Sequence, residues 1–351
     1  MSTGDPGSEP ISESTASGRE DIEAVAADGG MAAYRALHTA AAVALVARDA
    51  IRVAGPDAES YLQGQCSQDV TGLPVRQSVE SLLLSPQGKI EVYLRITREA
   101  GDRFVLDTDG GFGPAMMARL ERFRLRTKVE FEPLDWVCAG VRGPTAAAGV
   151  TGQPELVLPV SWPGLEGVDL LGPPPDDGVD RWVSDAVTRC PAGVWEAARI
   201  EAGIPVNGRE VNESTIAAEV GLVDRTVSFT KGCFTGQELV ARLDARGSKV
   251  ARHLWGVVID GGRDDRIGGG APRSDTAATL VGSVVHTADG QHEVGLVTSA
   301  AWSPGFHRVV ALATLHRRVE PPDDVLVAWE RPGRATTKLP AEARPLPLVA
   351  T

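Results

Sequence analysis

Between Leu82 and Thr97 the side chains keep a period that only an extended backbone satisfies. An apolar run, Leu82-Leu83-Leu84, leads into a Ser85-Pro86-Gln87-Gly88 turn. After it Ile90, Val92, Leu94 and Ile96 alternate with Lys89, Glu91, Tyr93, Arg95 and Thr97. Strict period two sends one set of side chains inward and the other outward, so this stretch reads as an antiparallel hairpin. Its flanks differ in kind. Val43 to Val46 and Ile51 to Val53 are short apolar strands. Gly55-Pro56-Asp57 then turns into a helix that Asp57 would cap, with Ala58, Tyr61 and Leu62 on one stripe. Residues 103–107 form another strand, and 114–124 a helix carrying Met116, Leu120 and Phe123 on a shared side.

Strands at 134–141 and near Trp182, a Pro173-Pro174-Pro175 loop and a helix at 194–202 continue the mixed pattern. This order favours an α+β fold over a doubly wound sheet. After Lys249 the chain turns to strands alone, at 254–259, 279–286, 293–299, 309–315 and 325–329, which suggests a small barrel or sandwich. The glycine-rich run 261–272 lacks the spacing of a dinucleotide fingerprint and reads as a loop. Residues 1–34 and the Pro- and Ala-rich 331–351 are expected to supply no ordered core element.

Charge and cysteine usage narrow the function. The 351-residue chain carries a formal −12, and half of it lies in the first thirty residues, where seven acids face Arg19 alone. No strong grip on nucleic acid is expected from the whole surface, although a local basic patch stays open. No basic-then-apolar leader and no run of ~20 apolar residues occur, so the expected location is cytoplasmic, without membrane contact. Cys66, Cys138, Cys190 and Cys233 stand far apart, with no C-x-x-C pair and no zinc-type spacing, which leaves a lone reactive thiol as the option of interest. His253, His286, His292, His307 and His316 fall at irregular intervals and read as surface or core residues.

The sharpest local feature is Lys231-Gly232-Cys233-Phe234-Thr235-Gly236-Gln237-Glu238, set just before a helix through Leu239, Val240, Arg242 and Leu243. A thiol two residues from a lysine and near a helix start would favour the thiolate, the nucleophilic and metal-binding form. Gly232 and Gly236 permit sharp turns and close ligand approach. An arbitrary cysteine would more often be a small buried apolar residue. Lys231, Arg242 and Arg246 would either line a basic mouth for a glutamate tail or tRNA, or stand as solvated charges.

This octapeptide resembles the K-G-C-[FY]-x-G-Q-E signature of the YgfZ family, folate-binding relatives of the glycine-cleavage T protein that support iron–sulfur enzymes. Three other segments resemble the family in the same order: Tyr61 to Gln65 with Gln68-Asp69-Val70, Leu83 to Ile90, and Arg199-Ile200-Glu201-Ala202-Gly203-Ile204-Pro205. Asn207-Gly208, Glu213, Thr215, Glu219, Leu222 and the runs at 295–299 and 303–304 are similar to the T protein. The resemblance implies a three-domain ring around a central folate channel, ending in a β-barrel. The domains would be 35–140 with 195–248, a ferredoxin-like 141–194, and a barrel at 249–330.

The resemblance also implies tetrahydrofolate or a derivative as cofactor, with Glu201 hydrogen-bonding the pterin and Gly232, Phe234, Gly236, Gln237, Glu238 and Arg242 around it. Cys233, with Lys231, would carry the chemistry, handling a transient iron–sulfur species. Partners would be iron–sulfur assembly proteins or client enzymes, with indirect support of tRNA modification. The alternative is a folate-dependent aminomethyltransferase. Against it, the T protein has neighbouring aspartates where this chain has Ile90-Glu91-Val92, and Val92 can neither take nor give a proton.

Overall fold

The structure is a computed structural model that describes residues 30–176, 178–244, 250–260 and 276–348. A helix α1 (30–39) is followed by β1 (Ala42–Val46), β2 (Arg48–Ala54), α2 (Ala58–Gln65), β3 (Ser78–Leu84), β4 (Ile90–Ala100), β5 (Arg103–Asp109), α3 (Gly113–Arg122) and β6 (Glu130–Leu134). Next come β7 (Val137–Arg142), β8 (Leu156–Trp162), β9 (Leu165–Gly172), β10 (Thr188–Arg189), α4 (Ala192–Ala202), α5 (Val223–Thr226) and α6 (Gln237–Asp244). The last stretch holds β11 (Arg252–Ile259), β12 (Val284–Thr287), β13 (Glu293–Ser303), β14 (Arg308–His316), β15 (Asp323–Trp329) and β16 (Thr337–Arg344).

The strands form three sheets. One has the order β3-β4-β5-β2-β6, a second β10-β1-β7-β9-β8, and the third closes as a barrel in the order β11-β14-β13-β12-β15-β16. The hairpin expected at 82–97 is β3–β4, with Leu83 opposite Val92 and Ser81 opposite Leu94. Val92, Leu94 and Ile96 bury against Leu62, Phe104, Met116 and Leu120 beneath α2 and α3. The other face of the same sheet is covered as well. Ala50 and Val105 pack on Cys138, Leu156, Leu158 and Leu171 of the second sheet. The outward side chains Tyr93 and Arg95 therefore meet protein rather than water, and Arg95 is only 8% exposed.

Several expectations shift on the structure. The segment after residue 331 supplies β16, which pairs with both β11 and β15 and closes the barrel. Leu339, Ala341 and Ala343 point into its core. Their alternation is a true strand signal that the surrounding Pro and Ala residues disguise. The first strand of the barrel hairpin starts at Val284 rather than 279, after a short 3₁₀ turn, Ala277–Leu280. Gly282 there takes φ +87°, which a continuing strand does not allow. Trp182 is buried at the end of a 3₁₀ turn, Val179–Trp182, not in a strand.

Residues 30–34 belong to α1, where Ala33, Ala36 and Leu37 pack on Trp162 and Trp195. An Ala-rich helix of one buried stripe is easily lost in a Ser/Gly/Ala tail. Asp57 makes no cap hydrogen bond within α2. Its carboxylate instead accepts the Lys128 N–H at 2.7 Å, which ties the chain entering β6 to the start of α2. The cut at 140/141 falls inside β7, and β1 pairs with β7 and β10. Residues 1–29, the loop expected at 261–272 and Arg246 lie outside the described residues.

Candidate functional site

The loop that carries Cys233 is fixed by parts of the chain far away in sequence. Lys231 turns inward and its ammonium donates to the carbonyl oxygens of Cys66 at 2.6 Å and Gln68 at 2.8 Å. The same group lies 5.3 Å from the centre of the Phe234 ring. Phe234 is buried among Leu82, Leu84, Ile90 and Val240. Between these two anchors Gly232 and Cys233 are exposed. Gly236 follows at φ +82°, and a Cβ there would stand 2.5 Å from the Ser85 carbonyl oxygen. A Cβ on Gly88, at φ +74°, would stand 2.7 Å from the Leu239 Cβ of α6. The thiol loop, the end of α2 and the β3–β4 turn are thus interlocked, and each contact needs a glycine or a buried cation at one position.

That arrangement gives Lys231 a role other than the expected one. Its charge faces Cys66 and Asp69, and burial pulls its pKa below the ordinary lysine value. Burial pushes the Cys66 thiol up to about 12, against the opposing pull of Lys231 and Arg119. Cys190 is likewise pushed up to about 12 by burial, and burial raises Cys138 too. Of the four thiols, Cys233 alone is exposed. Only it can meet a reagent or a partner without the protein opening. Glu238 and Arg242 are exposed on α6, and Gln237 is half-buried at its start.

Glu201 lies elsewhere. Its carboxylate accepts the Tyr34 hydroxyl of α1 at 2.8 Å, and its backbone carbonyl accepts the Leu348 N–H at 2.7 Å. Burial raises its pKa, with the Ser303 and Tyr34 hydroxyls offsetting part of the shift. Trp195 and Arg199, four residues apart, share one side of α4. Glu201, two further on, leaves by the opposite side toward α1 and the barrel.

The side of α4 that bears Trp195 and Arg199 borders a cavity of about 180 Å³ between the two five-stranded sheets. None of the site residues read from the sequence lines it. Its walls bring together Tyr93 and Arg95 of β4, Arg142 of β7, Trp162 of β8 and Asp169 of β9. Asp107, fully buried, takes Arg95 through both carboxylate oxygens at 2.9 and 3.0 Å and also binds Arg48. Arg95 passes on to Asp169 at 2.8 Å, and Arg142 reaches the other Asp169 oxygen at 2.9 Å. Burial alone would raise Asp169, yet the Arg142, Arg95 and Arg48 guanidiniums hold it down to about 2.

Arg142 is 2% exposed and lies 4.5 Å and 5.1 Å from the ring centres of Trp162 and Trp195, which meet edge to face at 5.3 Å. Its Nε–H has no hydrogen-bond partner. A buried, unpaired donor beside two indoles leaves room for an acceptor between flat faces. Sequence reading missed these residues because they come from six separate strands and a helix. The one available signal was the row of charged residues on the outward face of β4.

Among the described residues no group of three or more His, Cys, Asp or Glu side chains is placed to hold a metal ion. No helix there is long and apolar enough to cross a membrane.

No family model matches the chain. It is similar to the tRNA-modifying protein YgfZ of Klebsiella pneumoniae, 31% identical over 234 residues, which is 58% of this chain and 67% of that protein. The same-named protein of Cronobacter sakazakii is 30% identical over 236 residues, 60% and 69% of the two chains. An uncharacterised protein of Haemophilus influenzae is 27% identical over 220 residues, 59% and 69%. Among solved structures, the glycine cleavage system aminomethyltransferase T from Bartonella henselae shares the fold with a TM-score of 0.72, covering 91% of this chain and 89% of its own, at 22% identity.

Proposed function

The chain belongs to the YgfZ family and has the fold of the glycine-cleavage T protein, and on that premise we propose that it is a tetrahydrofolate-binding accessory protein for iron–sulfur cluster assembly or repair, indirectly supporting tRNA modification. The observation that carries the reading is the exposed Cys233 on a loop locked to the α2 end and the β3–β4 turn. Such a loop presents one thiol in a fixed place, while the other three thiols stay buried. A single thiolate completes only part of a cluster's ligand set. Iron or sulfide would therefore reach Cys233 with the remaining ligands supplied by a partner, an assembly protein or a client enzyme.

The cavity is the place this reading assigns to the folate head group. An engineered cavity of roughly 150 Å³ admits benzene, so about 180 Å³ is of the order a fused ring needs. Trp195 and Trp162 would contact the pterin, the unpaired Arg142 Nε–H would meet an acceptor on its edge, and Arg48, on the cavity wall, would serve a carboxylate of the tail. Tetrahydrofolate, when bound, supplies a carrier for one-carbon groups. On this reading the pterin contact moves from Glu201 to Trp195 and Arg142, and Glu201 holds α1 against the barrel.

Aminomethyl transfer is the weaker reading. Val92 is fully buried in the core. Glu91 is taken up by Arg119 at 2.5 Å and Arg122 at 3.6 Å. Neither is a free acid or base at the place where the T protein keeps aspartates.

Cells carrying Cys233→Ser should lose cluster-dependent tRNA modification to the level of a deletion strain, while the purified variant melts as the native chain does. Unchanged modification removes the thiol from the mechanism. Calorimetry separates the ligand question: Trp195→Ala should weaken tetrahydrofolate at least tenfold and Glu201→Gln should not. Equal binding by native chain and Trp195→Ala would place the ligand elsewhere.

A further inference from the structure

The stretch after α3 stands apart from the rest of the surface. Arg122, Arg124, Arg126 and Lys128 are all exposed within seven residues of an acidic chain, Arg122 at 61% of its side chain. Between them Leu125 is 82% exposed, the highest value for a large apolar residue among those described. Nearby acids do not cancel this charge. Glu121 and Glu130 flank the stretch, Glu91 lies 3.6 Å from Arg122, and Asp57 accepts only the Lys128 backbone N–H. Arg126 and Lys128 have no ion pair among the described residues. Arg126 takes φ +60°, a left-handed conformation that a non-glycine residue holds at a cost, and it is exposed.

The stretch is joined to the thiol loop. Arg119, one turn earlier on α3, donates to the Gln65 side chain at 3.0 Å and to the Leu84 carbonyl at 3.1 Å. Lys231 grips the backbone carbonyl of the following residue, Cys66, and Gly236 packs on Leu84. Arg119, in the turn of α3 that leads into the basic stretch, and the Cys233 loop thus hold the same two pieces of chain, residues 65–66 and Leu84.

We propose that residues 122–128 dock the phosphate backbone of an RNA, bringing it alongside the Cys233 loop. Three guanidiniums and an ammonium suit phosphate, where the planar fork of arginine bonds two oxygens at once, and Leu125 offers an apolar contact for a base. RNA is favoured over an acidic protein because the positive turn carries one exposed apolar side chain, whereas a protein partner's interface core needs a desolvated apolar cluster. The acidic remainder of the surface repels RNA, so the interaction is confined to this turn and weak, in the micromolar range or above at physiological salt. It stands whether or not the cavity takes folate.

Fluorescence anisotropy of an end-labelled, unmodified tRNA transcript, titrated with the full chain between 50 and 200 mM KCl, tests it. Four phosphate contacts predict a slope of log K on log salt near −3, about a sixtyfold weakening across that range. Arg126→Ser and Lys128→Ser should each reduce the slope by about 1, and the fourfold Arg122, Arg124, Arg126 and Lys128 to Ser variant should abolish binding at 50 mM. Arg317→Ser with Arg318→Ser, on the barrel, should change nothing. Absence of binding at 50 mM, equal loss in the barrel variant, or tighter competition by polyglutamate than by unlabelled tRNA would each overturn the proposal. If the fourfold variant fails to fold, the two single variants decide.

Discussion

The cavity and the thiol loop are built on opposite plans. At the loop, Lys231, Cys233, Phe234 and Gly236 are neighbours in sequence, and their partners are mostly backbone atoms of two other segments. At the cavity, Arg48, Arg95, Asp107, Arg142 and Asp169 come from five strands, and their partners are each other. A site of the first kind is spelled by consecutive residues and leans on two distant segments of the chain. A network of the second kind exists only once two sheets have met, so it reports on the fold as well as on any ligand. The difference predicts that disturbing the network costs stability first, whereas disturbing the thiol costs function alone.

The largest effect should come from Asp107→Ala. Asp107 is fully buried and holds both Arg48 and Arg95. Removing it leaves two guanidiniums with one carboxylate partner each, Asp109 and Asp169. Breaking a buried pair typically costs about 3–5 kcal/mol. Urea titration should show about 3 kcal/mol or more for Asp107→Ala, and less than about 0.5 kcal/mol for Cys233→Ser at its exposed position. A Cys233→Ser loss as large as that of Asp107→Ala would erase the distinction between the two regions.

Gly236→Ala comes next. Its positive φ and the 2.5 Å approach of a Cβ to the Ser85 carbonyl oxygen make the loop unable to take a side chain without moving. A cost of roughly 1–3 kcal/mol is expected. The loop, not the core, should take up the strain. The rate of Cys233 alkylation by iodoacetamide should therefore change severalfold in Gly236→Ala and stay constant in Gly290→Ala, a positive-φ position on the barrel. An unaltered alkylation rate in a destabilised Gly236→Ala would mean that the glycine does not position the thiol.

The contrast also explains what could be read from the sequence. The β3–β4 hairpin was legible because Val92, Leu94 and Ile96 bury on one side exactly as a period of two requires, and the octapeptide because its residues are consecutive. The direction of Lys231 was not legible. Its spacing from Cys233 suggests an electrostatic pair, but two carbonyls brought from α2 satisfy the ammonium first. The cavity was hidden for a related reason: Tyr93 and Arg95 look solvent-facing until the second sheet covers them. β16 escaped because Ala341 and Ala343 are small enough to fill a barrel interior without looking hydrophobic in a Pro-rich stretch.

Glu201 offers the smallest and most discriminating test, since its sequence motif suggested the cavity and its contacts are at the seam with α1. Burial raises its pKa, so the folded protein binds this proton more tightly than the unfolded chain. The sign follows: its contribution favours folding below the ordinary carboxyl value and is lost as pH rises through the raised one. At neutral pH the seam then holds either a costly buried carboxylate or a proton taken up at a cost. Glu201→Gln keeps an acceptor for the Tyr34 hydroxyl and removes that cost. Thermal melts should show the variant equal to or more stable than the native chain at pH 7.5, by up to about 1 kcal/mol, with the advantage gone at pH 4. A variant less stable at pH 7.5 would mean that the negative charge itself holds α1 in place, and with it that Glu201 belongs to an electrostatic site as the cavity residues do.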